Sequence, residues 1–118
     1  MTSDRGHHVA IEKRTGSRDG VTVLRISGPL NIHNFFEFQD LTRAETSPLL
    51  ILDFEDVPYL DSAALGSIIG VHVSCGKHNR RYALVNVSDR LKTMLKVAGV
   101  HEFLVVYPSV AEAEQALG

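Results

Sequence analysis

Apolar and polar residues alternate with a period of two at the start of the chain and shift to a helical period from about residue 31. Val9 and Ile11 share one face of a first run, Val9 to Lys13. The turn-rich patch Thr15-Gly16-Ser17-Arg18-Asp19-Gly20 leads to a second run, where Val21 and Val23 alternate with Thr22, Leu24 and Ile26. Two such runs around a short glycine-containing loop predict a hairpin. It should end at Ser27-Gly28-Pro29, because Pro29 has no N–H for a ladder. Phe35, Phe38 and Leu41 then recur at helical spacing, with Asn31 or Asn34 as candidate caps and Ser47-Pro48 as the stop.

Leu49 to Phe54 is a short continuous apolar run, interrupted only by Asp53. Its length predicts a strand covered on both faces. A second helix follows Tyr59-Leu60, with Leu65, Ile68, Ile69, His72 and Val73 expected inward and Gly76 as its end. Tyr82 to Val85 reads as a strand. Ser88 should cap a third helix with an inward stripe of Leu91, Met94, Leu95 and Ala98, stopped at Gly99. Phe103 to Tyr107 is the last predicted strand. Ser109-Val110-Ala111-Glu112 is a capping box opening a final helix with Val110, Ala113 and Leu117 on one side. Strands alternating with helices imply parallel pairing through right-handed crossovers. The expected fold class is α/β, a single domain over residues 9–118 preceded by a flexible polar segment, 1–8.

Composition narrows the function. The chain has 118 residues, 44% hydrophobic and 22% charged, with a net charge of −2. That length suits one domain with a real core. The near-neutral balance argues against nucleic acid as a direct partner, which would require an excess of Lys and Arg. A lone Cys75 cannot form an internal disulfide, which suits a reducing cytoplasm. No apolar stretch is long enough to span a bilayer, and Met1 to His8 lacks the apolar centre of a signal peptide.

The most informative segment is Tyr59-Leu60-Asp61-Ser62-Ala63-Ala64-Leu65-Gly66. It places a hydroxyl where the exit loop of a buried strand meets a helix start, a position whose unpaired N–H groups favour an anion. A phosphate on Ser62 would add roughly −1.5 to −2 charges, felt as repulsive by Glu55, Asp56 and Asp61. A plain N-cap is the simpler reading of Ser62, and the two are compatible.

Taken from Leu49 to Gly66, the apolar strand, acidic loop and Asp61-Ser62-x-x-Leu65-Gly66 resemble the signature of STAS domains. The resemblance is strongest to the anti-sigma factor antagonists of bacterial partner switching. Leu24 to Leu30 and Leu84 to Ser88 extend it over nearly the whole chain. It implies a small mixed sheet with the first strand antiparallel at an edge and about four helices mainly on one face. It also implies that Ser62 is the phosphoacceptor. The partner would be an anti-sigma factor that is also a serine kinase, bound only while Ser62 is unmodified, so that a sigma factor is released. A PP2C-type phosphatase would reverse the modification. The chain would be a substrate and ligand, with no catalytic residue, cofactor or metal of its own. The expected partner surface comprises Asn31, His33, Phe36, Asp61, Ser62, Ala63, Leu65, Gly66 and Ser67. Phe36 qualifies by standing off the Phe35/Phe38/Leu41 stripe, as an exposed anchor or packed beneath a neighbouring loop. Two departures from the family pattern stand out. Asn31 stands where members often carry aspartate, and Ala63-Ala64 where many carry Ser-Gly.

Two other functions fit the same residues. One is a STAS-type subunit of a sensory assembly or lipid-transport complex. The other is a small-molecule or nucleotide-binding domain with a pocket near Asp53 and Ser62. Enzymatic chemistry has the least support, since no nucleophile–base pair emerges. The six histidines (His7, His8, His33, His72, His78, His101) are scattered without metal-ligand spacing. His72 is expected to pack, Asp53 and Asp56 to be solvated in an acidic loop, and Lys77 to Arg81 to form a solvated charged surface.

Overall fold

The computed structural model describes residues 9–118; the segment expected to be flexible, 1–8, lies outside the described residues. Its elements are β1 (Ala10–Thr15), β2 (Val21–Ser27), α1 (Phe35–Ala44), β3 (Leu49–Asp56), α2 (Ser62–Lys77), β4 (Arg81–Val85), α3 (Asp89–Val97), β5 (Val106–Tyr107) and α4 (Val110–Leu117). The five strands stand in chain order, β1-β2-β3-β4-β5. Only β1 is antiparallel to its neighbour. With strands laid down always in one direction, right-handed crossovers must place α1, α2 and α3 on the same face. The opposite face is left to α4. The mixed α/β fold with its antiparallel edge strand is the one expected.

The strand alternation sorts the core into two layers. Leu24, Ile26, Leu50, Leu52, Phe54, Tyr82 and Leu84 meet Phe38 of α1, Ala64, Ile68 and Val71 of α2, and Leu91 and Leu95 of α3. Val21, Val23, Leu49, Ile51, Ala83 and Val85 face the other way, onto Ala113 of α4. This explains why β3 reads as an unbroken apolar run: both of its faces are covered.

Three local expectations are corrected. The buried residues of α2 are Ala64, Ser67, Ile68, Val71 and Cys75, while Val73 is 49% exposed. The buried stripe is therefore rotated from the Leu65/Ile69/His72/Val73 face. Small side chains at 64, 67 and 75 let the helix lie close on the sheet, and a helix with a single formal charge, Lys77, offers little polar contrast to mark its inner face. The last strand spans two residues, not five. The N–H groups of Phe103 and Leu104 both turn back to the Val100 carbonyl, and that of Val105 donates to the Tyr82 hydroxyl at 3.1 Å. Those donors are lost to a ladder. Finally, α1 ends at Ala44, short of Ser47-Pro48.

Glu45, just past α1, collects much of the molecule's polar bonding. Its carboxylate is buried and accepts from Thr22 Oγ1 at 3.1 Å and from Ser47 N at 3.1 Å, and pairs with Lys13 Nζ at 3.1 Å. Its backbone oxygen accepts from Arg80 Nη1. Arg81 similarly donates to the Leu117 carbonyl. The Lys77–Arg81 stretch is thus partly structural, contrary to the solvated surface expected. Burial by itself would raise the Glu45 pKa. The hydrogen bonds from Ser47, Lys13 and Thr22 outweigh it and bring the group from 4.5 down to about 2. A depressed carboxylate stabilises the fold above the unfolded value and loses that contribution as pH falls. Urea titrations should show a loss on the order of 3 kcal/mol between about pH 4.5 and pH 2. Glu45→Gln should be less stable at pH 7 and should flatten that dependence.

Candidate functional site

The carboxyl ends of the parallel strands are where loops converge in an open α/β sheet. Here the β2–α1 loop, the β3–α2 loop and the start of α2 meet. Leu30 and Leu60 form an isolated parallel bridge. Leu30 N donates to Tyr59 O and Asp61 N to Leu30 O, each at 3.2 Å. The two loops therefore run side by side before either helix begins.

Asp61 completes that join. As the N-cap of α2, its Oδ1 accepts from Ala64 N at 3.0 Å. Its Oδ2 accepts from Ile32 N, in the other loop, at 2.9 Å. Ser62 is thus the first residue of the helix and not its cap, and it is exposed. Its hydroxyl is consequently not committed to satisfying the helix end. The helix geometry leaves the early N–H groups of α2 without intrahelical acceptors.

The β2–α1 loop is knotted by two asparagines. Asn31 Oδ1 accepts from His33 N at 2.9 Å, and Asn31 N donates to Asn34 Oδ1 at 2.9 Å. Asn34 Nδ2 donates to Pro29 O at 2.8 Å. The first N–H of α1, that of Phe35, goes to the Asn31 carbonyl at 2.8 Å. Neither asparagine therefore caps α1 through its side chain in the expected manner; Asn34 occupies the N-cap position without such a bond.

The residues expected to meet a partner separate into two groups. Ser62, Gly66, His33 and Phe36 are exposed, and Asp61, Ala63 and Leu65 are half-buried. Asn31 and Ser67 are buried. Asn31 lies inside its loop, held by the bonds just described. Ser67 lies on the sheet side of α2 with Oγ donating to Ala63 O at 3.4 Å. These two support the surface from below. Phe36 is 60% exposed, its ring 4.2 Å from that of Phe35. It is therefore not packed beneath a neighbouring loop. Ile32, missed by the sequence reading, is 59% exposed. Its one available signal was an apolar residue in a polar loop, out of phase with the helix that follows.

Four other groups the sequence singles out are engaged within the fold. Asp53 is buried, not solvated, and accepts from Asn86 Nδ2 and from Glu55 N, both at 3.0 Å. Asp56 is held by Arg25 at 2.6 Å. His72 packs as expected, its Nδ1 2.9 Å from the Tyr82 hydroxyl. Burial pushes the Cys75 thiol up, against a smaller lowering by Arg80, so it stays protonated at neutral pH. Among the described residues no cluster of three or more His, Cys, Asp or Glu forms a metal cradle. No helix there is long and apolar enough to cross a membrane.

Because Asp61 serves two backbone donors, Asp61→Ala should cost more than an ordinary cap, about 2 kcal/mol. Hydrogen exchange should accelerate at the Ile32 and Ala64 amides together. Acceleration at Ala64 alone would mean that the bond to Ile32 adds nothing.

Comparison with known proteins places this geometry in context. An anti-sigma-B factor antagonist of Staphylococcus aureus is 21% identical over 95 residues, covering 78% of this chain and 88% of the relative. The crystal structure of an anti-sigma factor antagonist from Mycobacterium paratuberculosis superposes with a TM-score of 0.77 at 21% identity, covering 92% of this chain and 94% of that one. The Bacillus cell fate determinant SpoIIAA, solved in its phosphorylated form, superposes with a TM-score of 0.70 at 18% identity, covering 92% of this chain and all of that one. A sequence model described as the STAS domain matches residues 12–113. With that match running from β1 into α4, the chain belongs to the STAS domain family.

Proposed function

We propose that this protein is an anti-sigma factor antagonist, a non-enzymatic binding module controlled by phosphorylation of Ser62. The observation that carries the proposal is the exposed Ser62 at the first position of α2, with the exposed Ile32 in a loop that Asp61 ties to the same helix end and the exposed Phe36 in the helix that follows this loop. Two support it from outside: the name of the S. aureus relative, and the phosphorylated form in which SpoIIAA was solved.

The mechanism is electrostatic. Ile32 and Phe36 supply apolar area to an anti-sigma factor, and Ser62 lies within the covered patch. A phosphate there adds about −1.5 to −2 charges. The start of the helix partly favours that charge, but Asp61, its chain neighbour, opposes it. An interface closing over the phosphate must desolvate it or open. Burying an unpaired charge costs several kcal/mol, and every 1.4 kcal/mol is about tenfold in affinity. One ester is thus enough to lower binding by about 100-fold or more, with no change of fold. The kinase is the anti-sigma factor itself, and a PP2C-type phosphatase resets the cycle. No membrane insertion and no direct contact with nucleic acid are required, and the cytoplasm is where such a cycle operates.

The protein captured on its cognate anti-sigma factor with ATP should take up one phosphate, located by mass spectrometry on Ser62. Ser62→Ala should abolish uptake and keep binding, and Ser62→Glu should weaken binding. Phosphate elsewhere on the Ala variant would overturn the assignment. Phe36→Ala should weaken binding at least tenfold while leaving Tm within a few degrees, because the ring is mostly exposed.

A further inference from the structure

A groove of about 470 Å³ runs between α1 and α2, and neither Asp53 nor Ser62 lines it. Its size is that of a small-molecule site. Two glycines of α2, Gly66 and Gly70, form part of its wall, and a Cβ built on either meets nothing within 4 Å. Neither glycine is needed for a close approach within the chain or for a positive φ. Each nevertheless weakens the helix relative to alanine. Their effect is to keep the groove open. Leu50 and Val71 supply its depth, and Ile69 and Val73 an apolar flank.

The groove is also charged at one end. Arg43 of α1, Lys77 at the end of α2 and Arg80 before β4 line it, with His78 beside them. Among its described lining residues there is no carboxylate. Arg80 is held in place by its bond to the Glu45 carbonyl. Three cations without a lining acid, on a chain of net charge −2, make a local field of the opposite sign to the whole.

The geometry points to a binding site for a free, single-chain anionic amphiphile: a carboxylate head at Arg43 and Lys77 and an apolar tail along the glycine-walled flank. Charge complementarity selects the head, and the apolar flank selects the tail. The site shares α2 with Ser62, and its near wall, Gly66, lies about one helical turn further along.

Decanoate, acetate and decan-1-ol, each below its aggregation limit, separate the two requirements when titrated into the ¹⁵N-labelled full chain. Decanoate should bind saturably, with amide shifts at Gly66, Gly70 and Lys77, and acetate and decan-1-ol at least tenfold more weakly. The Cβ of Gly70→Leu meets nothing within 4 Å, so the side chain can extend into the groove. It should weaken decanoate at least tenfold while Tm rises or holds, which distinguishes a filled site from a misfolded one. Arg43→Gln with Lys77→Gln should do the same to decanoate and leave decan-1-ol unaffected. Equal affinity for decanoate and decan-1-ol, or undiminished decanoate binding by Gly70→Leu, would overturn the proposal. Sedimentation with phosphatidylglycerol vesicles in the absence of decanoate binding would overturn it in favour of a membrane surface.

Discussion

A single carboxylate holding one amide from the β2–α1 loop and one from the first turn of α2 governs the end of the molecule where the loops meet. Asp61 receives Ile32 N on one oxygen and Ala64 N on the other. The β2–α1 loop therefore cannot shift without disturbing the first turn of α2. Because the aspartate does the capping, the neighbouring serine is released from it. A serine that had to satisfy the helix end would trade a structural bond for any modification it received. The division of labour between the two residues leaves Ser62 exposed on a rigid support, with the loop asparagines stiffening the other side.

The second helix has to satisfy three surroundings at once. One side packs on the sheet through Ala64, Ile68, Val71 and Cys75. Another lines the cleft shared with α1, and the amino end carries Ser62. Its composition is correspondingly small and uncharged: one formal charge, three glycines and three serines in sixteen residues. The same composition blurs its amphipathic signal.

That blurring marks where the sequence was legible and where it was not. Element order and the hairpin could be read because β2 and β3 contrast sharply with their flanks and because Pro29, Gly99 and the caps at Ser88 and Ser109 act locally. The inner face of α2 could not be read, since apolar residues lie on both sides of it and small residues do the packing. The truncation of β5 was hidden for another reason: Val105 donates to the hydroxyl of Tyr82, a partner 23 residues away. At the candidate site, Ser62 was readable as an accessible hydroxyl at a helix start, while the spacing left Phe36 open between exposure and packing beneath a loop. The burial of Asn31 and Ser67 was not, because a polar residue engaged by its own backbone looks in a sequence like any surface residue. Glu45 gave no warning either; its partners come from four separate stretches of chain.

The strand order has a consequence for how this sheet meets other molecules. One margin is β1, whose exposed residues include Glu12, Lys13 and Arg14, and the other is a strand of only two residues. Charged side chains and extreme brevity are the usual means of discouraging a foreign strand from extending a sheet. Growth sideways by backbone pairing is thereby suppressed at both rims. What the rims disfavour, the helix-covered faces still permit: contact made through side chains instead of through the backbone.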